Sequence, residues 1–154
     1  MSSWEITFRS VDRDRAVFLP LLVEADESES VLRSYLNDGE LLEIVANHQP
    51  VGVALLTSPE PATVEIKNIA IEGEYRGRGI GRAAIARLAA RAKACGAGRL
   101  VVGTADSSTA TIAFYRSCGF SDAGCIQGFF DAYPEPVIEN GVQAHDMIRF
   151  EKIL

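Results

Sequence analysis

The segment Tyr75-Arg76-Gly77-Arg78-Gly79-Ile80-Gly81-Arg82 constrains this chain more than any other. Three alternating glycines stand between an alternating, strand-like run and a strongly periodic helical one. That placement predicts a strand-turn-helix unit, in which glycine lets backbone N–H groups turn inward at the helix N-terminus. Together with the helix dipole, such a turn cradles an anion and suits a phosphate. Arg76, Arg78 and Arg82 add positive charge in a chain whose net charge is −6. A turn rich in glycine for steric reasons alone is the simpler alternative. Spacing argues against two common phosphate ligands. A dinucleotide fingerprint needs a third glycine where this chain has Arg82, and a P-loop needs Lys and Ser or Thr where Arg82 and Ala83 follow Gly81.

Around this turn, hydrophobic periodicity lays out the rest of the chain. Trp4 to Phe8 alternates polar and apolar side chains and reads as a strand. Val17 to Val23 and Val31 to Leu36 read as two short helices, separated by the acidic stretch Glu24 to Glu29. Leu41 to Ala46, Val51 to Thr57 and Thr63 to Ile71 form an antiparallel meander, its first two runs divided by the turn Asn47-His48-Gln49-Pro50. In the third run, strict alternation sets Val64, Ile66, Asn68 and Ala70 against Glu65, Lys67, Ile69 and Ile71. Ile80, Ala84, Ile85, Leu88, Ala89 and Ala92 make the apolar stripe of a helix that Gly96 stops. Leu100 to Val102 is a short apolar strand. Asp106, Ser107 or Ser108 then caps a helix reaching about Ser117, ended by Gly119. Strands near 120–130 and 143–153 close the chain around a loop with Tyr133-Pro134-Glu135-Pro136 and the turn Glu139-Asn140-Gly141.

The turn also fits R-x-x-G-x-G, as Arg76-Gly77-Arg78-Gly79-Ile80-Gly81, and further on stands Phe114-Tyr115-Arg116-Ser117-Cys118-Gly119-Phe120. In that order and spacing of strand, turn, helix, strand and helix, the chain resembles the GNAT superfamily of acetyl-CoA-dependent N-acetyltransferases, most closely over about 62–122. The resemblance implies an α/β (α+β) fold: a single N-acetyltransferase domain over 1–154, with a mixed, mostly antiparallel sheet of about seven strands and helices on both faces. It implies acetyl-CoA as acetyl donor and a direct attack by a primary amine within a ternary complex.

Carried over residue by residue, the resemblance sets the pyrophosphate of coenzyme A on the backbone of Arg76, Gly77, Arg78, Gly79, Ile80 and Gly81, with Arg82 following. The pantetheine arm would lie along Ile69, Ala70 and Ile71 as an added strand, with a backbone amide near Ile71 facing the acyl oxygen. Tyr115 takes the position of the general acid at the departing sulfur, and Glu65 that of the base used by histone-type members. Asp106 and Ser108 stand where the family usually has an asparagine that contacts the cofactor. Asn68 marks a bulge or points into the acceptor cleft. Phe129, Phe130, Asp131, Tyr133 and Glu135 would border the acceptor, where aromatics beside carboxylates suit an amine. Helix capping, core packing and solvated strand positions are the structural alternatives for these residues.

Composition narrows the partners. Fifteen Lys and Arg against twenty-one Asp and Glu argue against generic nucleic-acid or anionic-membrane binding. Cys95, Cys118 and Cys125 form no C-x-x-C pair, and with only two histidines no metal site is expected. The thiols and the charged start of the chain fit the cytoplasm. A small-molecule amine is the expected acceptor. The alternatives are a protein N-terminus or lysine, and, in another class, a non-catalytic acyl-CoA-binding regulatory module. A homodimer is compatible with the resemblance.

Overall fold

Alternating and periodic segments become strands and helices in the expected order, with boundaries set by local chemistry. The computed structural model describes residues 3–154. The strands are β1 (Ile6–Ser10), β2 (Glu40–Ala46), β3 (Gln49–Thr57), β4 (Thr63–Ile71), β5 (Arg99–Ala105), β6 (Ser121–Ile126), β7 (Ile138–Glu139), β8 (Val142–Gln143) and β9 (Met147–Ile153). The helices are α1 (Leu19–Leu22), α2 (Glu29–Tyr35), α3 (Ile80–Ala94) and α4 (Thr109–Ser117). Seven strands pair in the order β1-β2-β3-β4-β5-β9-β6, all antiparallel except β4 with β5. β7 and β8 form a separate short hairpin about the expected turn at Asn140-Gly141, and both closing strands are shorter than the sequence implies, β6 ending at Ile126 and β9 starting at Met147.

The sheet separates two apolar layers. On one side Ile80, Ala84, Ile85 and Leu88 of α3 and Tyr115 of α4 pack on Leu42, Ile44, Ile66 and Val102. On the other, Leu19, Leu22, Leu32 and Tyr35 of α1 and α2 pack on Leu41, Val53, Leu55 and Ala70. Helices on both faces leave the middle strands buried from both directions, and this explains the almost unbroken apolar run Val51 to Leu56.

Helix ends follow specific residues. Ser28 caps α2, its hydroxyl accepting from the Val31 N–H at 3.3 Å. α3 and α4 both end in left-handed glycines, Gly96 and Gly119, each with φ of 91°. In α4 the Phe120 N–H reaches back to the Tyr115 carbonyl and the Gly119 N–H to that of Arg116, the Schellman pattern. α3 repeats it, with Ala97 bonding to Ala92 and Gly96 to Lys93. The expected side-chain cap of α4 is not formed. Ser108 occupies the cap position, but its hydroxyl bonds to the Glu139 carboxylate instead, and Asp106 accepts from the His145 N–H at 3.0 Å.

The strict alternation expected for β4 is broken. Leu55 pairs with Asn68 and Leu56 with Ile66, so Lys67 is an extra residue in a β-bulge. A one-residue insertion reverses the faces beyond it. Ile66 packs on the α3 side, whereas Asn68 and Ala70 face α1 and α2, and Ile69 and Ile71 return to the α3 side.

Candidate active site

β4 and β5 pair only from Thr63 with Arg99 to Ile66 with Val102, and then part. Beyond that point β4 is held by β3 and β5 by β9, so the edges they turn toward each other carry no strand. Through this seam runs a cleft of about 680 Å³. One end is lined by Gly77, Gly79, Gly81 and Arg82 at the start of α3, with Phe114 and Tyr115 of α4. The other is lined by Asp26, Glu27 and Tyr35 from the α1–α2 segment, with Phe129, Phe130, Tyr133 and Glu139 from the long loop before β9.

The glycine turn supplies unspent donors. Gly77 and Gly79 have φ of 74° and 84°, a conformation that strains any side chain, and no atom lies within 4 Å of where a Cβ would stand. The first helical bond of α3 runs from the Ala83 N–H to the Gly79 carbonyl. The N–H groups from Gly77 to Arg82 therefore donate to no acceptor among the described residues. Arg76 does not point its charge there: its Nε donates to the Ile71 carbonyl at 2.9 Å and its Nη2 meets the Glu24 carboxylate at 3.0 Å. Arg82 lines the cleft while bonding to the Ser117 carbonyl and hydroxyl, both at 2.8 Å, and so ties α3 to α4. Arg78 lies over the Tyr75 ring outside the lining, and its carbonyl accepts from Trp4. Gly52 of β3 is required sterically, since a Cβ there would stand 2.4 Å from the Ala70 carbonyl oxygen.

Tyr115 is buried within the cleft wall, its ring against Phe114, Phe120 and Phe150. Burial, with the neighbouring Cys118 adding to it, pushes the phenol well above its ordinary value, so the hydroxyl stays protonated. Ile69, Ala70 and Ile71 line the seam, as does Ser108.

Besides Arg78, two more of the expected site residues, Glu65 and Asp106, lie outside the cleft lining. Glu65 is not in the cleft lining: its carboxylate accepts from the Thr57 hydroxyl at 3.3 Å and lies 3.9 Å from Arg149. It precedes the bulge, at the end of β4 where the strand is still closed against β5. Asp106 is likewise outside, held by the backbone of His145. Of the loop residues, Asp131 bonds instead to the His145 ring at 2.7 Å, and Glu135 does not reach the lining. That contact, followed by the charge of Asp131, raises the His145 pKa. His145 precedes β9 rather than lying within a strand.

A polar network joining residues far apart in the chain stands at the far end. The Asp26 carboxylate accepts from the Tyr35 hydroxyl at 2.8 Å, and the Tyr133 hydroxyl lies 3.4 Å from both its oxygens. Burial first and Asp26 second raise both phenols, keeping them donors. Asn68 gives one amide hydrogen to the Leu22 carbonyl and one to the Tyr35 hydroxyl, each at 3.1 Å. Lys67, on the bulge, rests its ammonium 5.2 Å from the Tyr35 ring centre. No metal-holding group of His, Cys, Asp and Glu occurs among the described residues, and no described helix is long and apolar enough to cross a membrane.

The model of the acetyltransferase (GNAT) family matches residues 7–120. The "uncharacterized N-acetyltransferase YvbK" of Bacillus subtilis is 35% identical over 130 residues, covering 84% of each chain. A GNAT family acetyltransferase from Elizabethkingia anophelis, solved with acetyl-CoA bound, superimposes with a TM-score of 0.87 at 34% identity over 97% of this chain and 98% of that one. An acetyltransferase of Bacillus subtilis, solved in complex with CoA, gives 0.85 at 31% identity over 97% and 99%.

Proposed function

This chain belongs to the GNAT acetyltransferase family, and from that premise we propose that it moves acetyl from acetyl-CoA to the primary amine of a small molecule in the cytoplasm. It is an acetyl-CoA-dependent N-acetyltransferase. The observation that carries the finer reading is the polarity of the cleft. One end offers free backbone donors and Arg82, and the other offers Asp26, Glu27 and Glu139 among four aromatic rings.

The residues at the first end fit coenzyme A. The N–H groups from Gly77 to Arg82 would hold the pyrophosphate, and the open edge of β4 at Ile69, Ala70 and Ile71 would take the pantetheine arm as an added strand. The thioester supplies an activated acyl group. Tyr115, protonated and facing the cleft, is the proton donor for the departing sulfur. Ser108 shapes the wall through Glu139, and Asp106 and Arg78 act outside the cleft as supports.

At the other end an ammonium meets carboxylates and the faces of aromatic rings, both of which attract cations. An alkylamine with a pKa near 10.4 is only about 0.04% neutral at pH 7, so the site must also accept a proton. Asp26 and Glu139 line the path, whereas Glu65 does not. Once the amine is neutral, proximity to the acyl carbon supplies most of the acceleration.

The test is release of free coenzyme A thiol from acetyl-CoA across polyamines, amino-sugars, amino acids and short peptides. Turnover with a small cationic amine above the amine-free background is the expected result. Turnover confined to peptides would move the acceptor to protein termini or lysines. Silence across the panel in protein that binds acetyl-CoA would favour a regulatory binding module.

A further inference from the structure

Asn68 is 5% exposed, lines the cleft, and carries a buried amide oxygen with no hydrogen-bond partner. A buried carbonyl left without a donor is costly, by more than an ordinary hydrogen bond contributes. The orientation of the amide is not arbitrary. Both Nδ2 hydrogens are taken, by the Leu22 carbonyl and the Tyr35 hydroxyl. Turning the amide over would set Oδ1 against the Leu22 carbonyl, acceptor against acceptor. Tyr35 in turn gives its own hydrogen to Asp26, so it accepts from Asn68 and cannot donate to it. The chain Asn68 to Tyr35 to Asp26 therefore fixes Oδ1 as a free acceptor.

The bulge at Lys67 decides which reactant that acceptor serves. It turns Asn68 to the α1–α2 face of the sheet, away from the glycine turn and α4. The group that arrives from this face is the acceptor amine, and its nitrogen carries hydrogens to donate. We propose that Asn68 Oδ1 receives an N–H of the incoming amine and orients its lone pair toward the acyl carbon, making Asn68 a catalytic residue for the acceptor rather than a core polar residue. This rests on the acetyl-transfer reading above.

A matched pair of coenzyme A conjugates tests it without knowledge of the natural amine. One carries S–CH2–C(=O)–NH–propyl, with an N–H where the amine nitrogen would stand, and the other S–CH2–C(=O)–O–propyl, the same shape with no hydrogen to give. Calorimetry on the wild-type protein should find the amide bound about tenfold more tightly than the ester. In Asn68→Ala the two should bind within about twofold, through loss of amide affinity, while free coenzyme A binds as before. Tyr35→Phe, which removes the hydroxyl that anchors the amide, should narrow the preference in part. It also serves as the second variant if Asn68→Ala does not fold. No amide preference in the wild type, or a preference that survives Asn68→Ala, overturns the proposal. So does an equal loss of free coenzyme A affinity, which would assign Oδ1 to the pantetheine arm. Failure of every coenzyme A compound to bind the wild type would instead defeat the acetyl-CoA reading itself.

Discussion

Tyr115 meets Phe114 and Phe120 edge-on and lies near parallel to Phe150, so its hydroxyl reaches the cleft from a clamped ring. Because burial holds the phenol protonated, it can donate to a departing sulfur but not take a proton from an amine. Tyr115→Phe should therefore lower kcat about 100-fold while leaving acetyl-CoA affinity unchanged, measured by thiol release and calorimetry side by side. An unchanged kcat would mean that the thiolate departs without it. Glu65 gives the opposite expectation. Tied to Thr57 and facing Arg149 outside the cleft, it should tolerate Glu65→Gln with turnover within about twofold of wild type across pH 6–9. A lost basic limb in that profile would return it to the mechanism. The difference between these residues lies in what the sequence displays. Tyr115 sits in a contiguous motif beside Gly119, whereas the placement of Glu65 depends on a bulge that alternation cannot show. Asp26, Tyr35 and Asn68 meet from three separate elements, and no local spacing announces such a meeting.

The segments that were legible were those whose ends are written in local chemistry. The Y-x-x-x-G-F segment is a Schellman cap in physical terms: Gly119 supplies the left-handed residue, and Phe120 returns both its N–H and its ring to Tyr115. The cap thus sets the position of the very side chain proposed to donate the proton. Gly119→Ala should cost about 1–2 kcal/mol of stability from its positive φ, seen as a lower Tm, and should lower kcat as well by releasing the Tyr115 ring. A drop in Tm with full activity would show that the cap and the site are independent. α4's other end departs from the expected side-chain cap because Ser108 and Asp106 are drawn away from capping by Glu139 and His145, more than thirty residues further along the chain.

At the scale of the whole molecule, the two ends of the cleft differ in charge although the chain is acidic throughout. The end at the glycine turn, proposed for the coenzyme, offers Arg82 and backbone donors, and the end proposed for the acceptor carries Asp26, Glu27 and Glu139, while Glu24 is paired with Arg76. Exposed charges of this kind act over roughly 10 Å at 0.1 M salt and about 3 Å at 1 M. Raising NaCl from 0.1 to 1 M should therefore raise the KM of a cationic acceptor several-fold with little change in kcat. Asp26→Asn should raise that KM at low salt and flatten its salt dependence. A KM indifferent to both would remove the carboxylates from acceptor recognition. The strand order and the two-layer core were within reach of periodicity and resemblance. The seam was not, because it is an absence of pairing between two strands that each look complete.

That seam makes the fold a ladder with a missing rung. If coenzyme A fills it, the protein's lifetime is coupled to its metabolic supply. At a free ligand level about 100 times Kd the folded state gains about 2.7 kcal/mol, enough to move Tm by several degrees. The seam-facing amides of Ile69 and Ile71 should exchange with solvent slowly when acetyl-CoA is abundant and quickly when it is scarce, as hydrogen-exchange mass spectrometry would read. A starved cell would then clear this protein faster than a fed one, with no signal beyond the vacancy between two strands.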